Sequence, residues 1–102
     1  METIGEIIRA KRESNGLLLR QVASYLEIDL AILSKIERGE RKPTRANIVK
    51  IAEILKLNED ELMIQFISDK IAYEIADEAI ANKVLKVAEK KVKYLKSINN
   101  ER

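Results

Sequence analysis

Apolar residues recur at three- and four-residue spacing along most of the chain, and capping residues or breakers interrupt them at short intervals. That rhythm predicts helices. A first helix over about 3–14 carries Ile4, Ile7, Ile8 and Lys11 on adjoining turns, and Ser14-Asn15-Gly16 ends it. A second, about 19–26, turns Val22, Ala23 and Leu26 inward, yet Leu17-Leu18-Leu19 offers no Ser, Thr, Asp or Asn at its start. A third, about 29–38, has Asp29 as its cap and Ile28 with Leu33 as a hydrophobic staple, and Gly39 stops it. A fourth, about 45–56, is capped by Thr44 and repeats Ile48, Ile51, Ala52 and Leu55.

Two further helices follow. The fifth, about 59–75, starts after Asn58 with Glu61 three residues on, and Leu57 and Leu62 can staple it. It has two apolar stripes. Leu62, Phe66 and Tyr73 lie on one side; Ile64, Ile67, Ile71 and Ile75 lie nearly opposite. A helix apolar on two faces must be covered twice, so the isoleucines are either intrachain core or a dimer interface. The sixth, about 78–98 with Asp77 as its expected cap, gathers Ala81, Val84, Leu85, Ala88, Val92 and Leu95 on a broad face. Lys83, Lys86, Lys90, Lys93 and Lys96 lie on the other face, and Lys91 can snorkel out of the apolar arc.

Composition agrees with an all-α chain. Only 3 Gly and 1 Pro break 102 residues, and no strongly alternating strand-like run stands out. Hydrophobic residues are 46% but aromatics only 4%, so the core must be aliphatic. The absence of Cys and His removes disulfides, thiolate nucleophiles, zinc-finger sites and histidine acid–base chemistry together. No phosphate-binding glycine loop, metal-ligand cluster or nucleophile–base pair is visible, so an enzyme, a metal and a cofactor are not expected. No apolar run approaches the roughly 20 residues that span a bilayer. The acid-bearing start METIGEIIRAKRE lacks an apolar signal core. The expected location is the cytoplasm.

Charge is small in total, +2, and uneven along the chain. Residues 1–45 hold nine Lys/Arg and seven Asp/Glu; residues 46–78 hold three and eight; residues 79–102 hold seven and two. The acidic middle and basic tail can attract one another within a chain or between chains, so the tail is not automatically a nucleic-acid site. Its lysines read as solvent-facing, as phosphate contacts, or as partners of another chain's acidic middle.

The second and third helices are joined tightly by Glu27-Ile28-Asp29, as in a helix-turn-helix. At 100° per residue, Ile32, Leu33 and Ile36 face one way, and Leu30, Ala31, Ser34, Lys35 and Arg38 the other. With this register, LRQVASYLEIDLAILSKIERGERKPT resembles the core signature of the Xre, or phage Cro/CI repressor, family. The likeness covers roughly residues 4–62. It rests on Ala23, the Ile28-to-Ile36 spacing, Glu37-Arg38-Gly39 and Pro43-Thr44. It implies a five-helix lambda-repressor-like helix-turn-helix domain over 1–62 and a C-terminal helical dimerisation extension over 63–102.

The resemblance implies a two-fold dimer that reads double-stranded DNA, with the third helix in the major groove and a palindromic operator. Leu30, Ala31 and Lys35 match base-facing positions, with Ser34 beside them, although Leu30 can equally be a partly buried packing residue. Arg38, Arg41, Lys42 and Arg45 match positions near phosphates, although such cations alone can equally be a solvated surface. Glu37 is expected to be structural. Two departures stand out. Leu18 and Leu19 replace the family's Ser/Thr-Gln pair, leaving Arg20 as a substitute phosphate contact. Glu27 replaces the turn glycine, so either it takes a positive φ, which is costly for a side chain, or the turn shifts slightly. Dimerisation is expected through Ile64, Ile67, Ile71, Ile75, Val84, Ala88, Val92 and Leu95.

The expected function is therefore a sequence-specific transcriptional regulator, nucleoid-associated when bound to DNA. A restriction–modification controller and an autorepressor both fit. The competing reading is an antitoxin-type interaction module whose C-terminal helices bind a partner protein.

Overall fold

The computed structural model describes residues 2–100. The chain forms α1 (Ile4–Ser14), α2 (Leu19–Leu26), α3 (Leu30–Glu37), α4 (Arg45–Leu55), α5 (Glu59–Ile75) and α6 (Ala81–Asn100). It divides within α5 into two compact units, the first running through Lys70 and the second starting at Ile71.

In the first unit α2 packs against α3 and α4, and α1 packs against the same two helices. The inward positions meet in one aliphatic core. Ile8, Val22, Leu33, Ile36, Ile48, Ile51 and Leu55 are fully buried, and α5 adds Leu62 and Phe66. Each such side chain contributes about 1.5–3 kcal/mol by leaving water. Asp69 fixes α5 further along: its carboxylate accepts the Ile4 N–H at 2.9 Å, one of the donors that a helix start leaves unpaired.

Four helix ends share one backbone device. The residue just past the helix adopts a left-handed conformation, and paired turn bonds satisfy the last carbonyls. Gly16 and Gly39 do this without penalty at φ 70° and 78°. Glu27 and Lys56 do it at φ 57° each, where a side chain costs energy. Of the two alternatives at Glu27, the positive φ is the one present; the one at Lys56 carries no sequence signal. Asn15 donates to the Leu55 carbonyl at 3.0 Å and helps to close α4.

Helix starts depart from expectation at three points. Asp29 stands at the cap position of α3, but its exposed side chain makes no capping bond. At α2, Gln21 supplies half of the missing cap: its Oε1 accepts the Leu18 N–H at 2.7 Å. And α6 begins at Ala81, not near 78, so Asp77 does not cap it. Glu78 N donates to Ile75 O and Ala81 N to Glu78 O, and these two tight turns take up the residues assigned to the first helical turn.

In the second unit, no described residue of α6 is buried. Ala81, Val84 and Ile98 are half-buried, while Leu85, Val87, Val92 and Leu95 are exposed. Among the described residues, no helix is long and apolar enough to cross a membrane.

Candidate nucleic-acid interface

The anchoring of α3 starts from one glycine. Gly5 of α1 is buried against the end of α3, and a Cβ there would meet the carbonyl oxygens of Ile36 and Glu37, the latter at 2.7 Å. Beside this contact Glu37 is only 7% exposed. Arg12 answers its charge with two parallel bonds, Nε to Oε2 at 2.7 Å and Nη2 to Oε1 at 3.0 Å, and gives a third to the Leu17 carbonyl at 2.9 Å. The hydrogen bond that Arg12 donates to Glu37 outweighs burial and raises the Arg12 pKa above its already high ordinary value. Glu37 is thus structural, as its place at the helix end suggests. Sequence alone gives no sign of Arg12 or Gly5 as its supports.

With Leu33 and Ile36 buried and Ile32 half-buried, the opposite face of α3 is presented outward. Leu30 is 48% exposed, which separates it from the core. Ala31, Lys35 and Arg38 are exposed, and Ser34 is half-buried. This face offers a mobile ammonium donor, a hydroxyl that donates and accepts, and two small apolar contacts.

After α3 the chain turns through Gly39, whose N–H donates to Ile36 O at 3.1 Å, while Glu40 N donates to Lys35 O at 2.9 Å. Exposed Arg41 and Lys42 follow, pinned by buried Pro43. Thr44 and Asn47 then cap α4 reciprocally, each side-chain oxygen accepting the other's backbone N–H at 3.0 Å. That cap fixes Arg45, the exposed first residue of the helix. Arg20 stands on the exposed first turn of α2. Arg38 donates to Ser34 Oγ at 2.9 Å and pairs with Glu40, a carboxylate whose role has no signal in the sequence. Among the described residues, Arg20, Lys35, Arg41 and Arg45 carry no ion pair.

The residues expected at dimerisation also lie at the surface. Ile64, Ile67 and Ile71 are 60%, 37% and 48% exposed, and Ile75 is half-buried. On α6, Val84 is half-buried and Ala88, Val92 and Leu95 are exposed.

A family model described as Helix-turn-helix matches residues 8–62. The HTH-type transcriptional repressor RghR of Bacillus subtilis is 44% identical over 64 residues, covering 62% of this chain and 47% of that protein. The cryptic phage CTXphi transcriptional repressor RstR of Vibrio cholerae is 34% identical over 67 residues, covering 66% and 60%. The chain spans about half the length of the first of these curated relatives. Among solved structures, the clp gene regulator ClgR of Corynebacterium glutamicum superposes with a TM-score of 0.56 at 24% identity, over 83% of this chain and 88% of that one. The last likeness is one of fold.

Proposed function

The chain belongs to the helix-turn-helix family of the Xre, or phage Cro/CI, type, and we propose that it is a sequence-specific, double-stranded-DNA-binding transcriptional regulator that acts as a two-fold dimer. One observation carries this reading: α3 is held from behind by Gly5 and the Arg12–Glu37 pair while its outward face stays uncovered, with a cationic loop and helix start following it.

In this reading α3 enters the major groove. Lys35 donates to guanine O6 or N7, Ser34 bonds a base edge, and Leu30 and Ala31 touch thymine methyls. Arg20, Arg38, Arg41, Lys42 and Arg45 neutralise phosphates and release counterions, which supplies affinity without sequence information. Ile64, Ile67, Ile71 and Ile75 of α5, with Val84, Ala88, Val92 and Leu95 of α6, pair two copies. The two α3 helices then lie about 34 Å apart, one DNA turn, and read a palindrome. The protein works in the cytoplasm on nucleoid DNA, as an autorepressor or a restriction–modification controller.

A second reading is favoured by α6, which buries none of its described residues. An amphipathic helix so uncovered suits a partner protein, and the chain is then an antitoxin-type module. The two roles are compatible. The deciding test is titration against the DNA upstream of its own gene, beside a scrambled duplex, at two salt concentrations. Much tighter binding to the native sequence supports the regulator; no binding to either duplex leaves the partner-protein reading.

A further inference from the structure

The turn after α3 does more than end the helix. Because Gly39 is left-handed, Glu40 is folded back so that its N–H reaches Lys35 O, and its carboxylate comes beside the Arg38 guanidinium. Arg38 is therefore held from two sides, by Glu40 and by Ser34 Oγ. Both charged side chains are about half exposed, 52% and 56%, so an incoming anion can reach the pair. Among the described residues, the proposed phosphate contacts Arg20, Arg41 and Arg45 have no carboxylate partner.

We propose that Glu40 is a built-in competitor of DNA phosphate at Arg38: the free protein keeps this arginine occupied by a carboxylate, and DNA must displace it. The proposal rests on the DNA-binding reading and adds a residue that tunes it. A phosphate oxygen and a carboxylate oxygen offer a guanidinium the same acceptor geometry, so the exchange is one anion for another. It differs from a phosphate meeting an unpaired arginine. There, condensed counterions leave the DNA with no internal ion pair lost; at Arg38 the broken Glu40 pair subtracts from the gain. When Arg38 turns to the backbone it also releases Ser34 Oγ, which then has a hydroxyl available for a base edge. Backbone contact and base reading are linked at this one side chain.

The test is a two-by-two set: the full chain, Glu40→Gln, Arg38→Ala and the double variant, each titrated with a random-sequence duplex over a range of salt. Glu40→Gln is expected to bind about two- to fivefold more tightly at low salt, the range that exposed ion pairs reach. Its slope of log affinity against log salt should steepen only slightly, by well under about one, because Arg38 neutralises the same phosphate in both proteins and only the lost ion pair differs. In the Arg38→Ala background both effects should vanish, because no arginine remains to be released. If Glu40→Gln tightens binding equally with and without Arg38, Glu40 merely repels DNA and the proposal fails while the DNA reading stands. If none of the four proteins binds any duplex, the DNA reading itself falls, and the proposal with it.

Discussion

Arg12 on α1 grips both carboxylate oxygens of Glu37 at the end of α3, at 2.7 and 3.0 Å, in a nearly dry setting. Arg12→Ala strands a buried charge and is expected to cost about 3–5 kcal/mol, read from urea midpoints. A paired Arg12→Met, Glu37→Leu substitution should recover most of that loss, since two apolar side chains need no partner. An equal loss in the paired variant would place the value of the site in its shape and not its charge.

Glu27 holds a left-handed conformation at φ 57°. Glycine adopts it without a Cβ clash, so Glu27→Gly is expected to stabilise the fold by up to about 1 kcal/mol, less what the looser unfolded chain takes back. Thermal unfolding measures it. A lower melting temperature would mean that the Glu27 side chain makes a contribution larger than its backbone strain.

Base reading and phosphate binding should separate by substitution. Lys35→Ala and Ser34→Ala are expected to relax operator preference by about 1–3 kcal/mol while leaving random-sequence binding largely intact. Arg45→Ala should weaken all duplexes alike and reduce the salt slope by about one. Competition titrations with single-base operator variants tell the two patterns apart.

Ile67 and Ile71 are exposed enough to be changed without entering the core of the first unit. Replacing both with Glu is expected to convert a dimer to a monomer by light scattering, with helical content kept and operator affinity lost. A folded, unchanged dimer would move the interface elsewhere.

Tyr25 donates to Glu53 at 2.9 Å, linking α2 to α4. That bond, then partial burial and the carboxylate's charge, raises the phenol's pKa above its ordinary value of 10.0. The folded form thus favours the protonated phenol. Its contribution to stability is complete below the unfolded tyrosine's pKa and is lost as pH rises through the folded one. Glu53→Gln should bring the Tyr25 titration back down, followed by near-ultraviolet absorbance against a Tyr25→Phe control. An unmoved titration would mean that the bond is not kept in solution.

The helices were largely legible because their determinants are local: periodic apolar residues, Thr44 and Asn58 as caps, Gly16 and Gly39 as stops. Asn58 Oδ1 indeed accepts the Glu61 N–H at 2.9 Å. The outward set of α3 was legible for the same reason, since angle along one helix decides which residues share a face. What escaped was settled by tertiary geometry. Gly5 looks like a weak helix residue until Ile36 and Glu37 are seen lying against it. Asp69 shows no link to Ile4 in a linear reading. Glu40 sits in a basic run where it reads as a minor interruption. The start of α6 is not legible because Asp77 is a fair cap in isolation, and the turn bonds that displace it are a backbone matter.

If α3 reads DNA as proposed, the close seating of Gly5 has a consequence for the nucleic acid. With no side-chain volume between α1 and the end of α3, α3 has little room to tilt or slide toward a badly shaped groove. Where protein and duplex do not match, the duplex must yield. Bending and groove-width changes then fall on the DNA, and their cost depends on base steps that no side chain touches. The rigidity set by one missing methyl group thus becomes a second reading of sequence, through the stiffness of the double helix.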